Sequence, residues 1–174
     1  MLKINAPNYL YCPFCKSQLA QREDEEIIRK YCPKCLWVYY PQAFDSVAAV
    51  IIRNGKMLMV KRKREPYKDS WMFPGGFIEF GEHPEDTLKR EVKEECGLKI
   101  LQSKLIEVVQ TSDDFRAPGN LVFFYKVKTA GKKVKTDSGE NSDIRWFWIK
   151  KAPKIGWKSQ KYILKKFFLD SKEE

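Results

Sequence analysis

Four cysteines in two Cys-x-x-Cys pairs constrain this chain more than any other feature of its sequence. The pairs are Cys12-Pro13-Phe14-Cys15 and Cys32-Pro33-Lys34-Cys35, with sixteen residues between them. A Cys-x-x-Cys turn directs two thiolates toward one point, and two such turns complete a tetrahedral four-cysteine site of the closed, structural kind. We therefore predict that Cys12, Cys15, Cys32 and Cys35 bind Zn²⁺, and that residues 1–41 form a zinc ribbon that needs this metal to fold.

The cysteines also indicate a cellular compartment. A redox role is the alternative reading, but thioredoxin-type pairs occur singly and within a βαβ pattern. In a reducing cytosol, paired cysteines bind metal or perform redox chemistry more often than they form structural disulfides. The opening residues lack the apolar core of a signal peptide, and no stretch approaches the roughly 20 apolar residues of a membrane span. We expect a cytoplasmic protein with no membrane partner.

The charge balance indicates an anionic partner. The chain carries 33 Lys and Arg against 23 Asp and Glu, a net charge of +10. Eight lysines and three acidic residues lie between Lys150 and Glu174, and further lysines follow Gly131. A solvated basic face explains this pattern, and so does a field that attracts phosphorylated substrates or makes a weak RNA contact.

The composition changes near Pro41, and residues 42–174 are predicted to form a second domain of the α/β class. Strands are expected at Val47–Ile52, Lys56–Arg62, Leu105–Gln110, Leu121–Thr129 and Ile144–Lys150. Helices are expected at Pro84–Cys96, with proline at its start and Gly97 at its end, and at Trp157–Leu169. A mixed sheet covered on both faces accommodates this order of elements.

The first of these helices carries a concentrated set of carboxylates. Glu91, Glu94 and Glu95 are spaced i, i+3 and i+4, which places all three on one arc of the helix. Like charges on one side destabilise a helix, so their presence suggests a bound cation, and oxygen ligands favour Mg²⁺ or Mn²⁺ over zinc. By helical spacing alone, a solvated acidic face is an equally good interpretation.

Residues 76–98 resemble the Nudix box, Gx₅Ex₇REUxEExGU with U aliphatic. Every specified position matches: Gly76, Glu82, Arg90, Glu91, Val92, Glu94, Glu95, Gly97 and Leu98. The resemblance covers roughly residues 44–170 and implies an αβα sandwich with a mixed sheet. The preceding zinc ribbon is similar to that of NADH pyrophosphatase-like Nudix proteins.

The resemblance implies Mg²⁺-dependent (or Mn²⁺-dependent) hydrolysis of a nucleoside diphosphate linked to another group. Glu91, Glu94 and Glu95 would bind the cation, with the carbonyl of Gly75 or Gly76 assisting and Glu82 as an outer ligand. Arg90 would orient the glutamates. Glu91 and Glu140 are the two candidates for the general base, and Glu140 is favoured as a loop ligand or base.

Substrate contacts are expected from outside the box. Arg62 and Arg116 are the candidate phosphate or ribose contacts. The ribbon favours dinucleotides or ADP-ribose, but the Ser-Gln-Pro-Trp run of NADH pyrophosphatases does not follow Leu98. ADP-ribose or another nucleotide sugar is therefore favoured, while nucleoside triphosphates and capped RNA stay open. The alternative is a nucleotide-sensing or RNA-binding module without turnover, and a homodimer is an open expectation.

Overall fold

The structure is a computed structural model that describes residues 8–24, 27–41, 44–131, 134 and 139–170. Its contacts divide the chain into two units, Met1–Ala43 and Phe44–Glu174. The division lies close to the change of composition near Pro41. No helix among the described residues is both long enough and apolar enough to cross a bilayer.

The first unit contains a small antiparallel sheet that carries the cysteine turns. Its strands are β1 (Ala20–Asp24), β2 (Ile27–Tyr31) and β3 (Val38–Tyr39), in the order β1-β2-β3. The edge-on contact of Tyr9 with Tyr39, with ring centroids 5.0 Å apart, packs the entering chain against β3. The three strands were not predicted, because their sequence is short and largely polar.

The second unit is built on a mixed six-stranded sheet. Its strands are β4 (Ser46–Arg53), β5 (Lys56–Arg62), β6 (Trp71–Met72), β7 (Lys99–Gln110), β8 (Leu121–Ala130) and β9 (Asn141–Trp148). The order is β6-β5-β4-β8-β7, and β9 pairs with β5. Only β4 and β8 run parallel. The β4–β5 ladder is limited to two residue pairs beside the Asn54-Gly55 turn, so the two strands diverge beyond it.

Helices cover both faces of this sheet. Helix α1 is Pro84–Cys96 and helix α2 is Lys158–Leu164. Successive side chains of a strand point to opposite faces, and accordingly Val47, Ala49 and Ile51 pack in the cluster that includes α1. Ala48 and Val50 pack in the cluster that includes α2. Because both faces of β4 are buried, its sequence is continuously apolar. The layers are those of the expected αβα sandwich.

Several element boundaries differ from the sequence predictions. Strand β7 begins at Lys99 instead of Leu105, because polar residues at an exposed sheet edge hide the strand pattern. Strand β9 is Asn141–Trp148, three residues earlier at its start than predicted. The C-terminal helix keeps α-helical bonding only through Leu164 and continues as a π-helical turn at Lys165–Leu169. Helix α1 has the predicted bounds.

Candidate metal centre and active site

The four predicted zinc ligands of the first unit converge. Their ligand atoms all lie within 4.8 Å of one another, with Sγ–Sγ distances of 3.5 Å between Cys12 and Cys35 and 3.3 Å between Cys15 and Cys32. Hydrogen bonding from Ser17 lowers the pKa of Cys15 to about 6, which favours the metal-binding thiolate. This four-cysteine cluster fits a zinc ribbon and can hold a metal ion.

The two cysteine turns are built alike. The amide of Lys16 donates to the carbonyl of Cys12 at 3.0 Å, and the amide of Leu36 donates to that of Cys32 at 2.9 Å. Lys16 and Leu36 both have positive φ, 60° and 63°. A left-handed residue directly after each pair closes the turn, which brings two thiols of each pair to the same side.

Helix α1 is capped at both ends and packs on the sheet through buried apolar side chains. His83 is the N-cap, and its Nδ1 accepts the Glu85 amide at 3.3 Å. Gly97 has a φ of 65° and donates to the Lys93 carbonyl at 2.9 Å. The buried side chains Leu88, Val92 and Cys96 anchor the helix on the sheet. This anchoring fixes the rotation of the helix and turns its glutamates toward a cleft.

The cleft has a volume of about 440 Å³ and brings together most of the predicted site residues. Those that line it are Arg62, Gly76, Arg90, Glu91, Glu94, Glu95, Arg116 and Glu140. They come from β5, the Gly-Gly turn, α1, the β7–β8 connection and the segment before β9. Glu82 does not line this cleft.

Glu95 is the most buried of the α1 carboxylates, with 4% of its surface exposed. One of its oxygens accepts the amide of Gly75 at 2.8 Å, and the other accepts the side-chain amide of Asn141. Burial, with the nearby charges of Glu91 and Glu140, raises the pKa of Glu95 to about 8. An ionised Glu95 therefore needs a positive charge beside it.

Arg90 organises the other side of the carboxylate set. Its Nε and Nη2 each donate to Glu82 at 2.9 Å, and its Nη1 donates to Glu91 at 2.6 Å and to Glu94 at 3.4 Å. Its Nη2 also reaches the carbonyl of Phe77 at 3.3 Å. This network restricts Glu91 to one orientation, and burial raises the pKa of Glu91.

Glu82 is engaged on both oxygens. Besides the fork of Arg90, it accepts the hydroxyl of Thr87 at 2.7 Å. The Arg90 hydrogen bonds lower the pKa of Glu82 to about 2. In this geometry Glu82 holds Arg90, and its role as an outer ligand of a cation stays a prediction.

The absence of side chains in the Gly75-Gly76 turn allows the Val47 carbonyl to approach Gly75 and the Glu91 carboxylate to approach Gly76. A Cβ on Gly75 would lie 2.1 Å from the carbonyl oxygen of Val47, and one on Gly76 would lie 2.3 Å from Oε1 of Glu91. The Gly76 carbonyl accepts the Val47 amide at 2.9 Å. The Gly75 carbonyl has no such partner among the described residues, so it is the better placed of the two to assist a cation.

The carboxylates together fit a divalent cation. The charges of Glu91 and Glu140 raise the pKa of Glu95, and those of Glu94 and Glu140 raise the pKa of Glu91. The four carboxylates therefore lie close enough to repel one another. They do not converge closely: within the described parts of the chain, only the four cysteines form a group of three or more such ligands within 4.8 Å. Carboxylate oxygens, here from four side chains of which one is buried, are the hard ligands that Mg²⁺ or Mn²⁺ prefers.

The two predicted substrate arginines differ in their partners. Arg62 donates to the carbonyl of Pro66 at 2.7 Å and lies 5.2 Å from the Trp157 ring centroid. Arg116 donates through Nε to Oδ1 of Asp114 at 2.9 Å and through Nη2 to Oδ2 at 2.7 Å. Burial and the charge of Arg116 lower the pKa of Arg62, so the two guanidinium groups are neighbours.

Three functional positions were not identified from the sequence. Asn141 orients Glu95, and its own Oδ1 is buried without a partner in the described structure. Asp114 fixes Arg116, and Gln160 accepts the amide of Phe73 at 2.7 Å beneath the cleft. The Asp-x-Arg spacing could have indicated the Asp114 pair, whereas the two amides give no signal without tertiary contacts.

The connection that carries Asp114 is closed on itself. The Thr111 amide donates to the Asn120 carbonyl at 2.9 Å, and the Gly119 amide donates to the Thr111 carbonyl at 3.0 Å. These bonds extend the β7–β8 ladder by one step beyond Gln110 and Leu121. The tip of the loop is thereby separated from the sheet.

Comparisons with known proteins agree with this geometry. The chain is 30% identical over 151 residues to an ADP-ribose pyrophosphatase of Methanocaldococcus jannaschii, covering 86% of this chain and 88% of that protein. It is 27% identical over 146 residues to the NAD-capped RNA hydrolase NudC of Chromobacterium violaceum, covering 84% of this chain and 52% of that protein. It therefore spans about half the length of the latter relative.

The fold is also found among solved structures. A NUDIX hydrolase from Nitrosomonas europaea, at 22% identity, has a TM-score of 0.73 over 91% of this chain and 90% of that chain. The family model described as NUDIX domain matches residues 43–167. This match spans well over half of the chain and includes every element that lines the cleft. The chain belongs to the Nudix family, and its domain and relatives mark it as a Nudix pyrophosphohydrolase.

Proposed function

We propose that this protein is a Mg²⁺-dependent hydrolase of the diphosphate bond in a nucleoside diphosphate linked to another group. The substrate is ADP-ribose or a related nucleotide sugar or dinucleotide. The observation that carries the proposal is the buried Glu95, which shares one cleft with Glu91, Glu94 and Glu140. The relative from Methanocaldococcus jannaschii, of which this chain covers 88%, is an ADP-ribose pyrophosphatase, and this supports the proposed substrate class.

Three carboxylates of α1 are proposed to bind the cation, and neighbouring groups orient them. Glu91, Glu94 and Glu95 are its proposed ligands, assisted by the Gly75 carbonyl. When bound, the cation supplies charge neutralisation of the diphosphate and a lowered pKa for a bound water. Arg90 keeps Glu91 oriented, and the amides of Gly75 and Asn141 keep Glu95 oriented, so that little reorganisation is needed when the cation arrives.

Glu140 is the proposed base or loop ligand. It comes from the segment before β9, it is exposed, and it lines the cleft without an arginine or lysine paired to it in the described structure. Its backbone carbonyl accepts the Lys63 amide at 3.0 Å, which ties the segment to the end of β5. A carboxylate held by its backbone but free at its side chain can take a proton from an attacking water.

Arg62 is the proposed phosphate contact. In the described structure its donors reach backbone carbonyls and the Met72 sulfur, at 2.7 to 3.5 Å, and no carboxylate neutralises it within ion-pair distance. A guanidinium that keeps its charge beside a carboxylate cluster attracts the anionic diphosphate to the cation site.

The cysteine cluster is proposed to hold a structural Zn²⁺. A closed four-cysteine site leaves no open position for substrate, so the ion contributes folding energy to the first unit and no chemistry. Reduced thiols fit the cytoplasm, which is the proposed location.

The test is a product analysis with Mg²⁺ and a panel of substrates. ADP-ribose, NADH, NAD⁺, diadenosine polyphosphates, nucleoside triphosphates and NAD-capped RNA would be incubated with the protein and separated by chromatography. We expect AMP and ribose 5-phosphate from ADP-ribose. Glu94→Gln should lose nearly all turnover, whereas Glu85→Gln, on the first turn of the same helix and outside the cleft, should keep it.

Two results would contradict the proposal. If no member of the panel is cleaved with Mg²⁺ or Mn²⁺, the hydrolase proposal fails and a nucleotide-sensing or RNA-binding module takes its place. If Glu94→Gln cleaves as fast as the unmodified protein, the carboxylates of α1 do not hold the catalytic cation.

A further inference from the structure

We propose that Arg116, backed by Phe77 and fixed by Asp114, is a stacking subsite for the planar ring of a nucleobase. The subsite lies in the same cleft as the carboxylates. It rests on the proposed function only in taking a nucleotide as the source of the ring. It revises the expectation that Arg116 contacts phosphate.

The charge of Arg116 is already compensated. Its Nε and Nη2 donate to the two oxygens of Asp114 at 2.9 Å and 2.7 Å, and its backbone amide donates to the same carboxylate at 3.0 Å. Asp114 has 4% of its surface exposed, so the carboxylate that holds Arg116 is itself fixed in the interior. A guanidinium neutralised in this way attracts a phosphate weakly, but its flat face stays available.

Arg62 provides the contrast within the same cleft. Its hydrogen bonds go to neutral acceptors, and it keeps its positive charge. The charge of Arg116 lowers the pKa of Arg62, so the two arginines lie close together. The charged guanidinium of Arg62 therefore suits the diphosphate of a substrate. The guanidinium of Arg116, paired with Asp114, suits the planar ring.

The face of Arg116 is supported from behind. Its Cζ lies 5.6 Å from the centroid of the Phe77 ring, and 41% of its side chain is exposed. Planar guanidinium groups stack on the flat faces of bases as well as on aromatic side chains. The neighbouring side chain of Phe115 is 77% exposed, so the same loop offers a second flat ring to a ligand.

Asp114 acts as a positioning residue. It holds both the side chain and the amide of Arg116, so the plane of the guanidinium cannot rotate freely. The loop closes through Thr111 and Asn120, and Asp113 accepts the hydroxyl of Tyr67 and the amide of Lys158, so contacts within the protein hold this orientation. A preoriented surface loses little entropy when a ring stacks on it.

The test compares two ligands that share a phosphate and a ribose and differ in the base. Dissociation constants of AMP and ribose 5-phosphate would be measured by NMR titration with the unmodified protein and with Arg116→Ala, Arg116→Lys and Asp114→Asn. Because stacking on a base strengthens binding by about tenfold or more, we expect AMP to bind about tenfold more tightly than ribose 5-phosphate.

The variants separate stacking from charge. Arg116→Ala and Arg116→Lys should both lose about tenfold in AMP affinity and change ribose 5-phosphate affinity less than twofold, because lysine keeps the charge but not the plane. Asp114→Asn should weaken AMP binding alone, with Arg116 still present. Arg62→Ala is the matched control and should weaken both ligands equally.

Three results would overturn the subsite: no preference of the unmodified protein for AMP, full AMP affinity in Arg116→Lys, or equal loss of both ligands in Arg116→Ala. Circular dichroism would verify that each variant is folded. Because the readout is binding of non-hydrolysable ligands, it is independent of turnover. Failure of the hydrolase assay would leave this comparison intact, and the reverse also holds.

Discussion

Glu95 should make the stability of the magnesium-free protein fall as pH rises. In an unfolded chain this carboxyl ionises with the ordinary pKa of 4.5, whereas in the folded protein burial holds its pKa at about 8. Between these values the folded state binds one more proton than the unfolded state. The stability from Glu95 is fully present below the unfolded pKa and is lost as pH rises through the folded one.

The size of the effect follows from proton linkage. One extra bound proton changes the free energy of unfolding by about 1.4 kcal/mol for each pH unit. Between pH 5.5 and 7.5 the free energy of unfolding should therefore fall by on the order of 2–3 kcal/mol. Glu91, whose pKa is also raised by burial, adds a smaller slope of the same sign. Glu82, with its pKa lowered to about 2, changes stability only as pH falls below 4.5, outside this window.

The assay is urea unfolding followed by tryptophan fluorescence, without Mg²⁺ and without a chelator that would remove zinc. Glu95→Gln should lose most of the slope, and Glu85→Gln, on the same helix, should keep it. Saturating Mg²⁺ should reduce the loss at high pH, because the cation binds the ionised carboxylate. A free energy of unfolding that is flat or rises between pH 5.5 and 7.5, or an unchanged slope in Glu95→Gln, would refute the reasoning.

Four further changes have expected outcomes. Gly75→Ala places a Cβ 2.1 Å from a backbone oxygen and should destabilise the fold by roughly 3 kcal/mol or more in urea unfolding. Gly76→Ala places a Cβ 2.3 Å from Oε1 of Glu91 and should displace this side-chain end from Arg90, so calorimetry should show weaker Mg²⁺ binding while the melting temperature changes by a few degrees at most. Removing zinc with a chelator, or Cys32→Ser, should unfold the first unit, as read from the loss of slow-exchanging amides in β1–β3. Arg90→Lys cannot form the fork to its carboxylate partner and should lower kcat about tenfold or more with little change in KM, measured by steady-state kinetics.

The sequence predicted the parts of the site that depend on local spacing. The bounds of α1 followed from Pro84 and Gly97, and the shared arc of the three glutamates followed from helical periodicity. The cysteine cluster followed from the two Cys-x-x-Cys spacings. In each case the information lies within one turn or one helix, where bond geometry leaves few alternatives.

The parts that depend on distant segments were less accessible. Asn141 contacts Glu95 across 46 positions of the sequence, and Gln160 contacts Phe73 across 87, so neither amide could be distinguished from a surface residue. Arg116 was identified as a candidate contact, but its pairing with Asp114 could be seen only in the loop conformation. The early start of β7 was missed because edge strands tolerate polar residues on both faces.

The self-closed connection between β7 and β8 has a consequence for how this protein could change over time. Its ends are joined by their own backbone bonds at Thr111 and Asn120, and its tip carries Asp114 and Arg116, whereas Glu91, Glu94 and Glu95 lie on α1. Exposed side chains of the loop, such as Phe115, can therefore be exchanged while the strands and α1 keep their places. Under the proposed roles, the stacking subsite and the glutamates that bind the cation lie on separate segments, so a lineage can alter its ligand preference through exposed residues of one short loop while the glutamates of α1 stay in place.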